Sequence, residues 1–469
     1  MNWDIIYIMR HEVLLTLLIL HQLIGDLSET VDRRRHVFIT VLLFAAFTVV
    51  GWLPSRPSLL FGNMYVSDDL RLLLKNILSV SALIILLQST TWLNNPLHQK
   101  KAGAFYLLIF STLMGMFFMI SAGDFLMLYL GLELATIPLT LLAAFDKDFR
   151  KSAEAGVKLL MSSAVSSAVL LFGISMIYGV YGTLHFSEIA GAYNESPLMI
   201  LGLVFFLSGL AFKISLVPFH LWTADVYEGA PLAVTTYFSV VSKGAAVFTL
   251  MLVLYQVFGS QPEIWSSVLY FLAIATMLVG NLFALRQKNM KRFLAFSSIT
   301  QAGFMMLGFL NAGTIGMTTI VYFMLIYGLS NLAVFGVLSI IMNGTDKEGM
   351  DDLNGLYATN PGLSLIMLVS LFSLAGIPPV AGFFGKFFLF TAAASAGMYW
   401  LVFFAVINAT ISLYYYLLVV KAMFINKNET PIARLTSTFY EKLALTLCLV
   451  GVLVIGFASP VFEYIRSVM

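Results

Sequence analysis

Long apolar runs recur along the chain and limit what it can fold into. Each run holds about twenty residues, the length of helix that crosses the hydrocarbon core of a bilayer, and short polar turns separate the runs. Of the 469 residues, 60% are hydrophobic and 11% are charged, whereas about a quarter of a soluble domain is charged. The sequence therefore predicts an all-α polytopic membrane protein without a sizeable soluble domain.

About fourteen of these runs are predicted to be membrane helices. Basic residues concentrate in alternate loops, for example at 33–35, 100–101, 147–151 and 286–292. Because Lys and Arg accumulate in cytoplasmic loops, we expect these loops in the cytoplasm and both termini on the opposite, periplasmic side. The predicted helices cover residues 11–28, 36–53, 69–93, 103–121, 124–145, 152–180, 198–226, 231–258, 264–285, 293–311, 315–342, 361–396, 398–425 and 440–465.

Two of the runs are predicted to be broken helices. Pro218 lies inside the seventh run, and Pro378 and Pro379 lie near the middle of the twelfth. Proline removes a backbone donor and clashes with the preceding turn, so both helices should open there. Paired broken helices indicate inverted repeats. We expect three N-terminal helices in 1–102, inverted five-helix repeats in 103–258 (helices 4–8) and 259–425 (helices 9–13), and a last helix in 426–469.

Five charged side chains lie within the predicted membrane helices, away from the loops: Glu133, Lys158, Lys213, Lys243 and Lys386. Each costs roughly 2.5–3.5 kcal/mol on insertion scales, and the five together cost on the order of 12–18 kcal/mol. A lysine in such surroundings can be neutral near physiological pH, and interacting groups change one another's proton affinity. One carboxylate with four lysines therefore has the physical properties of a proton relay.

Simpler interpretations remain open for some of these residues. Lys158 lies about seven residues from Lys151 and can extend its amine to the cytoplasmic surface. Glu133 can pair with a single lysine and hold two helices together. His220 titrates in the physiological range and lies at the first predicted break, where its imidazole can instead bond the freed backbone carbonyls.

No pattern in the sequence indicates a cofactor or a metal in this chain. A phosphate loop, a nucleotide fingerprint and zinc-ligand spacing are absent from it. The single cysteine, Cys448, lies in an apolar run and excludes a cysteine-ligated cluster within the chain. The tyrosines at 414–416 are interpreted as packing residues.

Several segments resemble the antiporter-like membrane subunits of respiratory complex I, and the similarity extends over essentially the whole chain. They are LGLEL at 130–134, the FK and PFHLW pieces of 212–222, DVYEGAP at 225–231, KRFLAFSSITQAGF at 291–304 and AGIPPVAGFFGKF at 375–387. The resemblance implies fourteen helices, of which the seventh and the twelfth are broken.

The resemblance also implies roles for the charged residues. Glu133 and Lys213 would be the coupled pair of the first half-channel. Lys243 would be the central relay residue and Lys386 the output residue of the second half, while Lys158 and His220 match auxiliary polar positions. The chain departs from the family pattern at Gln301, a position that is often histidine, which leaves the tenth helix without a titratable link.

The resemblance thus implies a proton-translocating subunit of a bacterial NADH-quinone oxidoreductase in the cytoplasmic membrane. NADH, FMN, iron–sulfur clusters and quinone are then expected in partner subunits. The expected partners are neighbouring antiporter-like and small membrane subunits, the lipid bilayer and protons, and not nucleic acid. A subunit of a multisubunit cation/proton antiporter or of a hydrogenase-linked pump is the alternative, and co-purifying subunits distinguish them. A structural spacer of the membrane arm is a third possibility.

Overall fold

The computed structural model describes residues 3–27, 32–192, 196–457 and 459–469, and helices dominate it. In the first part they are α1 Trp3–Ile8, α2 Arg10–Leu27, α3 Arg33–Gly51, α4 Asp69–Leu93, α5 Pro96–Gln99, α6 Ala102–Ser121, α7 Phe125–Ala143 and α8 Arg150–Tyr181. The middle part contains α9 Phe186–Ala190, α10 Pro197–Ile214, α11 Leu221–Gly229, α12 Leu232–Tyr237, α13 Lys243–Gln256, α14 Pro262–Ala284, α15 Met290–Phe309 and α16 Thr314–Thr345. The last part contains α17 Leu356–Thr359, α18 Pro361–Ala375, α19 Ala381–Ser395, α20 Tyr399–Phe424, α21 Phe439–Phe457 and α22 Ser459–Ser467.

Helices lie over every predicted run, and the polytopic helical class is confirmed. Within the described residues, eleven helical spans are long and apolar enough to cross a membrane. The helices α2 and α15 are not among these eleven, and α18 and α19 are shorter apolar helices. The number of fourteen membrane passes therefore stays a prediction.

Both predicted breaks are present. The helix α10 ends at Ile214, Ser215 adopts a positive φ of 70°, and α11 begins at Leu221. In the second case α18 ends at Ala375, Gly376 has a φ of 87°, and α19 begins at Ala381. Val217 N donates to Thr276 Oγ1 at 3.0 Å, so protein groups satisfy freed backbone at the first break, as irregular backbone in a membrane requires.

A third irregularity was not predicted. The π turn Phe238–Ser242 joins α12 to α13, within the run predicted as one helix over 231–258. A π turn leaves the regular pattern of backbone hydrogen bonds, and such turns are frequent at functional sites. Lys243 is the first residue after it.

A short hairpin between α3 and α4 also lies outside the all-helical expectation. Strand β1, Ser58–Leu60, pairs antiparallel with β2, Tyr65–Ser67. Phe61, Gly62 and Asn63 all have positive φ and turn the chain tightly between the strands. The hairpin places the ring of Tyr65 in the protein interior, where it is 0% exposed.

The chain divides into two compact units. The first comprises Met1–Lys213, Gly229–Val234 and Ser242–Trp265, and the second comprises Ile214–Glu228, Thr235–Val241 and Ser266–Met469. Glu133, Lys158, Lys213 and Lys243 belong to the first unit, whereas His220 and Lys386 belong to the second. The predicted boundaries at 102, 258 and 425 stay predictions.

Within the first unit, glycines bring α6 and α7 into close contact. A Cβ on Gly115 would lie 2.3 Å from Ala135 N, and one on Gly131 would lie 2.8 Å from Gly115 O. Small residues let membrane helices approach at backbone distance. This contact fixes the position of the α7 segment that carries Glu133 and Thr136.

Candidate functional site

Lys213 lies in the last turn of α10, directly before the first break, and its amine has a specific acceptor. The Nζ atom donates to Thr136 Oγ1 at 2.5 Å. The Thr136 hydroxyl in turn donates to Leu132 O, one turn back on α7, at 2.6 Å. Because the hydroxyl proton is committed to its own helix, the oxygen lone pairs are free to accept from Lys213. No pattern in the sequence indicated this role for Thr136.

Glu133 lies three residues before Thr136 on α7 and interacts electrostatically with Lys213. Within the described residues, Glu133 Oε1 has no hydrogen-bond partner. Residues three apart are neighbours on a helix surface, so Glu133 and Thr136 lie close together on α7. The lysine amine bonds the hydroxyl of Thr136, and the role of Glu133 and Lys213 as a coupled pair stays a prediction.

A small cavity of about 20 Å³ adjoins this group, and its lining includes Thr136, Lys213 and Ser242. A buried water needs roughly 10–15 Å³ of such space and polar partners. The cavity therefore has room for one water molecule beside Lys213. Ser242 immediately precedes Lys243, so the same cavity reaches the start of α13.

Lys243 is deeply buried. The residue is 1% exposed, and it begins α13 immediately after the π turn. The next residues of α13, from Gly244 to Leu254, are all buried as well. The predicted central relay residue therefore lies in the interior, at a point where the helix is irregular.

Lys386 contacts the second break directly. Its Nζ donates to Ala375 O, the last residue of α18, at 2.9 Å and lies 4.7 Å from the centroid of the Phe304 ring. A Cβ on Gly376 would lie 2.9 Å from Lys386 Cδ, so the glycine makes room for the lysine stem. The amine thus satisfies a carbonyl that the break frees.

Gln301 bonds the neighbouring carbonyl, which sequence reasoning missed. Its Nε2 donates to Leu374 O at 2.9 Å and to Tyr416 OH at 3.2 Å. Tyr416 OH also lies 2.5 Å from Ser297 Oγ and is buried. An amide replaces the imidazole expected at position 301, and a polar link through the tenth predicted helix is nevertheless present. Tyr416 belongs to this link and is more than the packing residue that the sequence indicated.

The two auxiliary residues have contrasting surroundings. Lys158 Nζ pairs with Glu154 Oε1 at 2.8 Å, one turn away, and the two side chains are 43% and 52% exposed. His220 precedes α11, and its carbonyl accepts from Thr223 N at 3.0 Å. Within the described residues, His220 Nδ1 has no hydrogen-bond partner. Both auxiliary roles stay predictions.

The set of five intramembrane charges omitted a buried cluster in the first unit. Lys75 Nζ lies 2.5 Å from Glu12 Oε1 and 3.0 Å from Tyr65 OH, which donates to Glu12 Oε2 at 3.1 Å. All three residues are nearly inaccessible, at 3% exposure or less. Glu12 and Lys75 both fall inside predicted apolar runs, at 11–28 and 69–93, and this position was the signal in the sequence that could have indicated the cluster.

Metal-binding groups are not apparent in the part of the chain that the structure describes. There, no three His, Cys, Asp or Glu side chains come together in a way that could hold a metal ion. Cys448 is buried and free.

Broken helices with lysines at their irregularities define a class, the antiporter-like membrane proteins. Residues 122–412 match the family model described as NADH:quinone oxidoreductase/Mrp antiporter, transmembrane. The chain is 48% identical to NADH-quinone oxidoreductase subunit N of Phocaeicola vulgatus over 98% of either protein. It belongs to the NADH:quinone oxidoreductase/Mrp antiporter family and, within it, to the subunit N group.

Solved structures agree with this assignment. A chain of respiratory complex I from Thermus thermophilus is 30% identical and superposes with a TM-score of 0.80 over 95% of this chain and 96% of that one. A chain of the Mrp complex from a Dietzia species gives a TM-score of 0.87 over 100% and 97% at 20% identity, and this match shows the fold alone.

Proposed function

We propose that this chain is a proton-translocating membrane subunit of a bacterial NADH-quinone oxidoreductase. Its similarity to subunit N over nearly its full length supports this proposal. The protein would lie in the inner membrane with both termini on the periplasmic side, among neighbouring antiporter-like and small membrane subunits. NADH, FMN, iron–sulfur clusters and quinone would belong to partner subunits, and this chain would carry protons only.

The observation that carries the proposal is the position of three lysines at helix irregularities. Lys213 lies two residues before Ser215, where the first break begins, Lys243 follows the π turn, and Lys386 bonds the last carbonyl of α18. In a regular membrane helix, the backbone N–H and C=O groups bond one another. In an irregular one, some of these groups are left for side chains and water to bond. Lysine amines, whose charged form is unfavourable in a membrane, are suited to exchanging protons with ordered water at these helix irregularities.

In the first unit, Lys213 would alternate between two acceptors on α7. A protonated amine gains most from the Glu133 carboxylate, and an amine that is leaving this pair can bond Thr136, as it does here. A charge change near Glu133, transmitted from partner subunits, would alter the proton affinity of Lys213. A water in the adjoining cavity would accept the proton and pass it toward Lys243. Lys386 would carry out the corresponding step in the second unit.

The test is proton uptake by the assembled complex with Lys213→Ala, reconstituted in vesicles and driven by NADH. We expect pumping to be abolished or sharply reduced while native gels show normal assembly. Lys347→Ala, an exposed loop lysine, is the control and should pump normally. Full pumping by an assembled Lys213→Ala complex would contradict the relay, and loss of assembly before pumping would favour a structural spacer.

A further inference from the structure

A second candidate site lies where α18 and α21 begin. A pocket of about 300 Å³ opens there, and its polar rim and apolar wall come from both helices and from the segment that precedes α21. The side chains used below are Thr359, Leu363, Ile366, Arg434, Lys442 and Leu445. None of the relay residues lines it.

Asn360 holds the segment 432–435 against the start of α18. Its Nδ2 donates to Ala433 O at 3.1 Å and to Ile432 O at 3.3 Å, and its Oδ1 accepts from Leu435 N at 2.8 Å. Asn360 is buried, at 5% exposure. The side chain of Asn360 therefore fixes the backbone on both sides of Arg434 and places this cation at the rim.

The rim is positively charged and its charges are not neutralised internally. In the described part of the chain, neither Arg434 nor Lys442 makes an ion pair or a side-chain hydrogen bond, and both are exposed. None of the described residues that line the pocket is acidic. The adjacent Glu441 is engaged in its own helix start, where it accepts from Thr438 N at 2.8 Å.

Backbone donors of α18 add to this charge. Pro361 is at the helix start, and Asn360 makes no side-chain capping bond to the first turn. The N–H groups of Gly362 and Leu363 therefore lack intrahelical acceptors, and helix N-termini favour anions. A Cβ on Gly362 would meet nothing within 4 Å, so the space beside this turn is open.

The wall below the rim is apolar. Leu363 and Ile366 are three residues apart and lie on one side of α18, and Leu445 of α21 also lines the pocket. The helix α21 is long and apolar enough to span a membrane, and α18 is a shorter apolar helix. The pocket is therefore at the ends of two apolar helices, with Arg434 and Lys442 exposed at its rim and the leucine and isoleucine side chains forming its wall.

We propose that this pocket binds an anionic phospholipid. Arg434, Lys442 and the first turn of α18 would hold the phosphate headgroup, Thr359 would add a hydroxyl donor, and an acyl chain would lie along Leu363, Ile366 and Leu445. Basic pockets at the ends of membrane helices recognise such headgroups. A soluble phosphate would leave the apolar wall unused, which favours the lipid. The proposal does not depend on proton transfer by this chain.

The test is native mass spectrometry of the full chain in mild detergent, titrated with phosphatidylglycerol or phosphatidylethanolamine. We expect one phosphatidylglycerol to bind more tightly than phosphatidylethanolamine, and Arg434→Gln with Lys442→Gln to weaken it by about tenfold or more. The control Lys347→Gln with Lys427→Gln removes two exposed loop charges outside the pocket and should leave binding unchanged. Equal affinity of wild type and the Arg434/Lys442 variant would overturn the proposal.

Two further measurements distinguish other occupants. Glycerol phosphate should fail to displace the lipid, and displacement at a similar concentration would mean that a free phosphate suffices. A photo-crosslinking residue at Thr446, which lines the pocket, should capture phospholipid in the intact complex. Capture of a polypeptide there instead would overturn the lipid assignment.

Discussion

At the scale of single residues, burial decides what each charge needs. Glu12, Lys75 and Tyr65 satisfy one another inside the first unit, and both charged side chains are 4% exposed. Lys213, by contrast, donates a hydrogen bond to the neutral hydroxyl of Thr136 and interacts with the Glu133 carboxylate only electrostatically, without direct contact. The first arrangement stabilises one state, whereas the second supports the proposal that the Lys213 amine exchanges partners.

The buried ion pair should be essential for stability. Glu12→Ala leaves Lys75 buried without its anionic partner, which costs roughly 3–5 kcal/mol. We expect a clearly lower thermal midpoint for the purified chain in detergent, or loss of the folded chain from membranes. Adding Lys75→Met to Glu12→Ala should recover part of the loss because it removes the unpaired charge. A single variant that melts like the wild type would contradict this account.

Thr136→Val tests the hydroxyl as a position for the Lys213 amine. Valine keeps the shape of threonine and removes the acceptor, so the Lys213 amine should favour Glu133 and transfer protons more slowly. We expect severalfold less NADH-driven proton uptake per NADH oxidised, and recovery in Thr136→Ser. Thr140→Val is the matched control, because Thr140 lies one turn further and donates only to Ile137 O. Normal pumping by Thr136→Val would exclude this role.

At the scale of elements, residues that interrupt regular structure, above all glycine and proline, determine which irregularities of a helix can be predicted. The first break contains Pro218, and the second contains Gly376, Pro378 and Pro379. Both were predicted at the correct helices. The π turn escaped prediction because residues 232–242 contain neither Gly nor Pro. The hairpin Ser58–Ser67 escaped it because its strands are only three residues long, too short for an alternating pattern to stand out.

The second break should depend on Gly382. A Cβ at this position would lie 1.7 Å from Ser373 O, so Gly382→Ala must push α19 away from α18. We expect a stability loss beyond the roughly 1–3 kcal/mol of ordinary overpacking, together with reduced pumping because Lys386 loses its place at Ala375 O. Gly179→Ala, where a Cβ meets nothing within 4 Å, is the control and should be neutral in a thermal melt. Similar melting of both variants would contradict the prediction.

At the scale of the whole molecule, the sequence predicted the class of fold, the breaks and the family, since all three depend on local patterns. It did not predict which side chains meet. Thr136 and Lys213 are 77 residues apart, and Gln301 and Leu374 are 73 apart. Such pairs depend on how helices pack, and apolar periodicity does not determine the facing positions when a helix is apolar on all sides.

The proposed function requires that the lysines at the helix irregularities move protons. The most direct measurement is the number of protons taken up per NADH oxidised by vesicles containing assembled complex with Lys243→Met. Methionine keeps most of the length of the side chain and cannot carry a proton, so the buried site should stay largely filled. We predict a lower proton-to-NADH ratio with assembly intact. An unchanged ratio in the assembled variant would contradict the relay through this chain.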